Sequence, residues 1–244
     1  MTNFSIQAAG LTVGVTALFE STRDYCREFL SEEAPCLSVA VTSEDIAFER
    51  AQTEREYALE GRSPRNFTDA ALEVTALQRK TAERLFAYDT LVFHGSCIAV
   101  DGVGYLFTAK SGTGKSTHTR LWREAFGDRA VMINDDKPFL KIGETFVMVC
   151  GSPWKGKHSL GCNLSVPLKS ICILERGEEN RIGRIAPAAA VKMLFQQSNR
   201  PRDPRMMVKY MELIDRLAQN VALYRMQCNM DPEAALISYR EMSG

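Results

Sequence analysis

The chain has 244 residues, 45% of them hydrophobic and 25% charged, ordinary values for a globular protein that buries roughly 70–75% of its unfolded surface. Lys plus Arg and Asp plus Glu stand at 30 each, which excludes a global electrostatic pull towards nucleic acid or an anionic membrane. Seven cysteines, with no CxxC pair, argue against a disulfide framework or a zinc site and for a reduced, cytoplasmic chain. Met1–Gly10 lacks the basic and apolar blocks of a signal peptide, and no apolar run approaches the ~20 residues of a membrane span.

Taken in chain order, Phe4 to Val15 alternates enough for one or two strands turning at Gly10. Ser21 to Leu30 reads as a short helix, Cys36 to Val41 as a strand and Glu44 to Leu59 as a helix. Residues 61–66 form a Gly/Pro/Asn loop. A long helix follows over about Thr68 to Tyr88, with Leu72, Leu77, Ala82, Leu85 and Phe86 on its buried stripe. Leu91 to Val100 and Tyr105 to Thr108 read as strands joined by Asp101-Gly102, a strong hairpin signal. Lys115 to Phe126 reads as a helix capped by Gly127. Ala130 to Asn134 is an apolar strand, Phe139 to Ile142 and Thr145 to Val149 pair through Gly143, and Leu168 to Leu174 is a buried strand. Helices at Pro187 to Gln197 and Met206 to Ala218 precede a strand at Val221 to Met226. The last helix starts with Asp231 as N-cap and Pro232 at its first position. This order predicts an α/β core whose hairpins make its sheet mixed, residues 91–244, preceded by a small α+β lobe, residues 1–90.

The sequence between the second of the central strands and its helix, Ala109-Lys110-Ser111-Gly112-Thr113-Gly114-Lys115-Ser116-Thr117, fits the phosphate-loop pattern G-x-x-x-x-G-K-[ST] except at its first position, Ala109. Phosphate binding requires a ring of backbone N–H groups at a helix N-terminus, and Gly112 and Gly114 permit the dihedrals of such a ring. Ser111 to Thr117 are therefore expected to cradle a nucleotide, with Lys115 on the β- and γ-phosphates and the Ser116 hydroxyl on Mg²⁺. Asp135-Asp136, at the end of an apolar strand, supply a carboxylate for the metal and a second as general base towards an acceptor hydroxyl.

Lys155, in Gly151-Ser152-Pro153-Trp154-Lys155-Gly156-Lys157, belongs either to a solvated basic loop or to a cation that neutralises charge on a transferred phosphoryl group. Trp154 reads as the anchor of that loop, and His158 as solvated. His118 and Arg120 follow the phosphate loop on exposed helical turns. Residues 199–205 form a basic, solvated cluster, and Met206, Met207 and Met211 read as core.

At His94-Gly95, Ser111-Gly112-Thr113-Gly114-Lys115-Ser116 and Asp135-Asp136 the chain resembles the HPr kinase and PEP carboxykinase superfamily, and most of all its small stand-alone HPr-kinase-like proteins. Residues 151–157 resemble a stretch of that group. The resemblance spans roughly residues 91 to 175 and implies a mixed-sheet P-loop fold, Mg²⁺ near Ser116 and Asp135, one of the two aspartates as base, and His94 close to the transferred phosphate. The HPr kinase N-terminal domain and C-terminal signature have no counterpart here, and the chain is too short for a PEP carboxykinase. The expected activity is Mg²⁺-dependent phosphoryl transfer from ATP to a hydroxyl on a small molecule, peptide or protein Ser; no motif reads the base, so ADP, GTP and pyrophosphate stay open as donors. A nucleotide-binding regulatory module and an ATP hydrolase are the rivals. Neither nucleic acid nor membrane is an expected partner, and oligomerisation stays open.

Overall fold

The computed structural model describes residues 1–61, 63, 65–110 and 112–244. Two compact units divide the chain, Met1–Leu85 and Phe86–Gly244.

In the first unit, β1 (Thr2–Ala8) and β2 (Leu11–Ala17) form a hairpin through Ala9 and Gly10, both at positive φ. α1 (Glu20–Tyr25), β3 (Leu30–Ser31), β4 (Leu37–Ala40), α2 (Ser43–Leu59) and α3 (Asp69–Leu85) follow, and the sheet order is β3-β1-β2-β4. The helix expected over Ser21 to Leu30 is cut short at Tyr25, because Leu30 and Ser31 pair with β1 instead. α2 begins with a capping box in which Thr42 and Asp45 bond each other's backbone. Glu73 of α3 is fully buried and accepts hydrogen bonds from Leu18 N at 2.5 Å, Phe19 N at 3.2 Å and the Thr22 hydroxyl. One carboxylate from α3 thereby satisfies backbone donors at the entry to α1, a helix with no side-chain cap of its own.

The second unit contains β5 (Thr90–Val92), β6 (Ser96–Val100), β7 (Val103–Thr108), α4 (Lys115–Phe126), β8 (Ala130–Asn134), β9 (Phe139–Ile142), β10 (Val147–Cys150), β11 (Ser165–Arg176), β12 (Arg181–Arg184), α5 (Pro187–Gln197), α6 (Met207–Asn220), β13 (Ala222–Cys228) and α7 (Glu233–Ser243). β6 and β7 turn through Asp101 and Gly102, both with positive φ, as a two-residue hairpin with the right twist requires. The strand order is β5-β9-β10-β11-β7-β6-β8, with β13 beside β11 and β12 beside β13. β7, β11 and β13 run parallel and the other pairings are antiparallel, so the sheet is mixed.

β11 is buried on both faces and alternates between two cores. Ile171 and Ile173 join Leu106, Leu194, Tyr210 and Leu213 on the face covered by α5 and α6. Cys172 and Leu174 join Tyr105, Phe107, Trp122 and Met242 on the face covered by α4 and α7. Met206 and Met207 pack against the first core as expected, but Met211 is exposed. Asp231 does not cap α7 through its side chain: the carboxylate accepts from Asn229 Nδ2 at 2.7 Å, and the helix begins at Glu233. All seven cysteines are free. Among the described residues no helix is long and apolar enough to cross a membrane.

Candidate functional site

The run Leu91 to Val100, expected as one strand, is two. β5 pairs with β9 and β6 with β7 and β8, and Phe93-His94-Gly95 form the step between them. Each backbone N–H of the step is taken by a distant carbonyl: Phe93 by Pro138 at 3.0 Å, His94 by Gln197 at 2.6 Å and Gly95 by Asp136 at 3.0 Å. Gly95 has no room for a side chain, since a Cβ would lie 2.9 Å from Leu106 Cδ2 and 3.0 Å from the Phe107 carbonyl. The step brings His94 to Asp136, with Nε2 3.4 Å from Oδ1.

β7 runs into the glycine-rich loop, and α4 begins at Lys115. Gly112 has φ 77° and Gly114 φ 120°, and a Cβ at either would meet nothing within 4 Å. Glycine is thus required by backbone conformation rather than by space. α4 has no side-chain cap, so its first N–H groups stand at a positive helix end. Thr113 N and Oγ1 both bond the Lys110 carbonyl, at 3.2 and 2.8 Å, and Arg176 Nη2 donates to the Gly112 carbonyl at 2.7 Å. Ser111 lies outside the described residues; Gly112, Thr113, Gly114, Lys115, Ser116 and Thr117 form the loop and the first turn of α4.

Asp135 and Asp136 follow β8 and differ in setting. Asp135 is buried, and its Oδ1 accepts from Ser96 Oγ at 2.6 Å. With its hydrogen committed to the carboxylate, Ser96 accepts from Thr119 Oγ1 at 2.9 Å, and Thr119 Oγ1 also lies 3.3 Å from the Lys115 carbonyl. Asp135 is therefore tied to α4 through Thr119. Asp136 is partly open. Burial raises its carboxyl above the usual range, against the pull of the Lys137 and Lys115 charges and with the help of Asp135. Burial lowers the Lys115 ammonium, with Asp136 opposing. Burial and the charges of Lys137 and Lys115 push His94 down to about 3, so its ring is neutral near pH 7 and its contact with Asp136 is not an ion pair.

The turn that carries the two aspartates is held by Asn134, which is fully buried. Its Oδ1 accepts from the N–H of Asp136 at 2.8 Å and of Lys137 at 2.7 Å. Its Nδ2 donates to the Ser152 carbonyl and hydroxyl, both at 3.1 Å, and Ser152 Oγ donates onward to the Lys137 carbonyl at 2.7 Å. Asn134 thus fastens segment 151–157 to the aspartates. Gly151 is packed so closely that a Cβ would sit 1.8 Å from the Cys162 carbonyl. Gly156, at φ 68°, passes the Asp136 side chain, 3.0 Å from where its own Cβ would be. Trp154 anchors the loop in edge contact with Phe139, ring centroids 5.9 Å apart. Lys155 is buried, which excludes the solvated-loop reading for it; Lys157 and His158 are exposed.

His118, read as exposed, is instead buried in edge contact with Phe107, with Nε2 3.0 Å from Ser238 Oγ. Arg120 is exposed and pairs with Glu124. The structure thus brings His94, Lys115, Asp135, Asp136 and the 151–157 segment together. It adds Asn134, Lys137, Ser96 and Arg176, which the motifs do not mark. An Asn closing an apolar strand ahead of a turn is the signal that points to Asn134.

No curated protein matches the chain. Among solved structures, the HPr(Ser) kinase/phosphatase of Coxiella burnetii is similar over 63% of this chain and 99% of its own, at 12% identity and a TM-score of 0.36, a likeness too distant to assign any residue. Residues 66–233 match the family described as SynChlorMet cassette protein ScmC, and since that is well over half of its length, the chain belongs to this family.

Proposed function

We propose that the chain is a Mg²⁺-dependent kinase that transfers the γ-phosphate of ATP to a hydroxyl acceptor. The observation that carries this reading is the meeting of an uncapped, glycine-led helix N-terminus with two carboxylates of unlike setting, Asp135 tied to that helix through Ser96 and Thr119, and Asp136 lying between His94 and Gly156. The N–H groups of 112–117, with Ser111, hold the phosphates, and Lys115 follows charge onto the γ-phosphoryl group. Mg²⁺ prefers oxygen ligands and needs only one or two from the protein; the Ser116 hydroxyl and the Asp135 carboxylate fit that demand, and the ion offsets the charge of the phosphates. Asp136, the more open of the pair, with its proton affinity raised by burial, acts as base. It takes the proton of the acceptor hydroxyl while that oxygen bonds to the γ-phosphorus, the bond from phosphorus to the β–γ bridging oxygen breaks, and ADP leaves with the electron pair. Neutral His94 donates a hydrogen bond to a phosphate oxygen, and Lys155 neutralises charge on the phosphoryl group in flight.

The test is transfer of label from γ-labelled ATP, with Mg²⁺, to pooled amino acids, sugars, nucleosides and extract protein. Acceptor-dependent labelling that disappears in Lys115→Ala and Asp136→Asn is expected. Binding without transfer to anything indicates a regulatory module instead, and label released only as free phosphate indicates a hydrolase.

A further inference from the structure

A backbone loop holds an anion only while its N–H groups face one way and its carbonyls the other, since a carbonyl oxygen turned inward repels phosphate. Gly112 at φ 77° and Gly114 at φ 120° stand on either side of Thr113, an alternation of the kind that aligns successive N–H groups into such a concavity. A Cβ at either glycine would meet nothing within 4 Å, so hydrogen bonds to the loop, rather than packing at these two positions, keep its peptide planes in place.

Two loop carbonyls are held, in different ways. The Lys110 carbonyl is held from within the loop, accepting from Thr113 N at 3.2 Å and Thr113 Oγ1 at 2.8 Å. The Gly112 carbonyl is held from outside, accepting from Nη2 of Arg176 at 2.7 Å across 64 positions of sequence. The sheet delivers Arg176 to that place. β7 and β11 are parallel neighbours whose last paired residues are Thr108 and Ile173. There β7 leaves the sheet to become the loop, while β11 continues to Arg176, still paired with β13 at Cys228. Glu175 and Glu179, close to Arg176 in sequence, pair with Arg225 and Arg181, so neither competes with the loop for its guanidinium. A guanidinium is always charged, and its bond to a carbonyl is of the stronger, charge-assisted kind.

We propose that Arg176 is a positioning residue of the phosphate site. It holds the Gly112 peptide with its carbonyl turned away from the anion, so that the loop is set for phosphate before any ligand arrives. The inference rests on the loop being a phosphate cradle, and Arg176 acts on the phosphates through the loop, not by contact.

The test compares the full chain with Arg176→Met and Arg176→Lys, by calorimetric titration with Mg-ATP and by amide exchange of the ligand-free chain. Arg176→Met is expected to weaken Mg-ATP about tenfold, since a hydrogen bond from a charged group is worth about one decade in affinity. It is also expected to speed exchange of the Thr113 N–H, whose bond to Lys110 closes the same turn. Arg176→Lys keeps a charged donor and is expected to restore most of both. Arg176 is exposed at a strand end, so the urea transition reported by Trp122 of α4 is expected to stay unchanged in both variants. Mg-ATP binding indifferent to Arg176→Met overturns the positioning role and leaves the cradle standing. Weakened binding with Thr113 exchange unchanged also overturns it, because the loss then comes from the missing charge alone. Failure of the unaltered chain to bind Mg-ATP overturns the cradle and the role of Arg176 together.

Discussion

Replacing Asn134 by Ala removes four hydrogen bonds at once: two accepted from the N–H groups of Asp136 and Lys137 and two donated to Ser152. Each typical intramolecular bond contributes about 1 kcal/mol, and a buried partner left unsatisfied adds its own desolvation cost. The side chain is fully buried, so water reaches the abandoned groups only by opening the turn. The expected loss is about 3–4 kcal/mol, a large share of the 5–15 kcal/mol typical of a domain. Both tryptophans, Trp122 and Trp154, lie in the second unit and are buried, so urea unfolding followed by tryptophan fluorescence reports that unit alone. Ser152→Ala removes the hydroxyl that both accepts from Asn134 and donates to Lys137, and the two changes share a bond. The double variant is therefore expected to lose about 1 kcal/mol less than the sum of the singles. A loss below about 1 kcal/mol for Asn134→Ala, or strict additivity with Ser152→Ala, would refute the reasoning that this amide fastens the aspartate turn to segment 151–157.

Two glycines of that segment separate space from conformation. Gly151→Ala forces a Cβ to 1.8 Å from a backbone carbonyl and is expected to cost about 3 kcal/mol or more in the same unfolding assay, whereas Gly156→Ala, at φ 68° with Asp136 Cβ 3.0 Å away, is expected to cost only about 1–2 kcal/mol while lowering phosphoryl transfer more than ATP binding. His94 gives a pH signature. Its folded pKa of about 3 lies below the ~6.5 of an unfolded His, so the unfolded chain binds the proton first and stability falls as pH drops from about 6.5 towards 3, with a slope of at most about 1.4 kcal/mol per unit, reduced by solvent because the ring is partly open. His94→Gln should flatten that slope in fluorescence-detected melts at pH 7, 6 and 5, and an unchanged slope would assign the acid sensitivity elsewhere. In the first unit, Glu73→Ala leaves two backbone N–H groups and the Thr22 hydroxyl without their carboxylate; a loss of about 3 kcal/mol is expected, read as faster amide exchange at Leu18 and Phe19.

What the sequence reveals of this molecule follows the range of the forces involved. α4 occupies Lys115 to Phe126 as its local pattern requires, and Gly127 closes it at positive φ, because a helix and its caps are determined within a few residues. The same holds for the Asp101-Gly102 turn and for the buried β11 core, although β11 extends to Ser165 and Arg176, where polar residues carry a strand supported by β10, β7 and β13 rather than by propensity. The step at Phe93 to Gly95 has no local signal, since apolar residues continue on both sides. It exists because carbonyls at Asp136, Pro138 and Gln197, some 40 to 100 positions away, capture its three N–H groups. The step nevertheless sets where His94 lies: it brings the ring to Asp136, with Nε2 3.4 Å from Oδ1. The glycine loop, lysine and paired carboxylates that the sequence offers as a set of residue types do meet in the folded chain. What makes the two aspartates unequal was not legible, since Ser96, Thr119, Asn134 and Gly156 act on them through contacts that only the folded sheet creates. A difference in setting between two adjacent, chemically identical side chains has to come from such tertiary partners, because neighbours in sequence give both of them nearly the same surroundings.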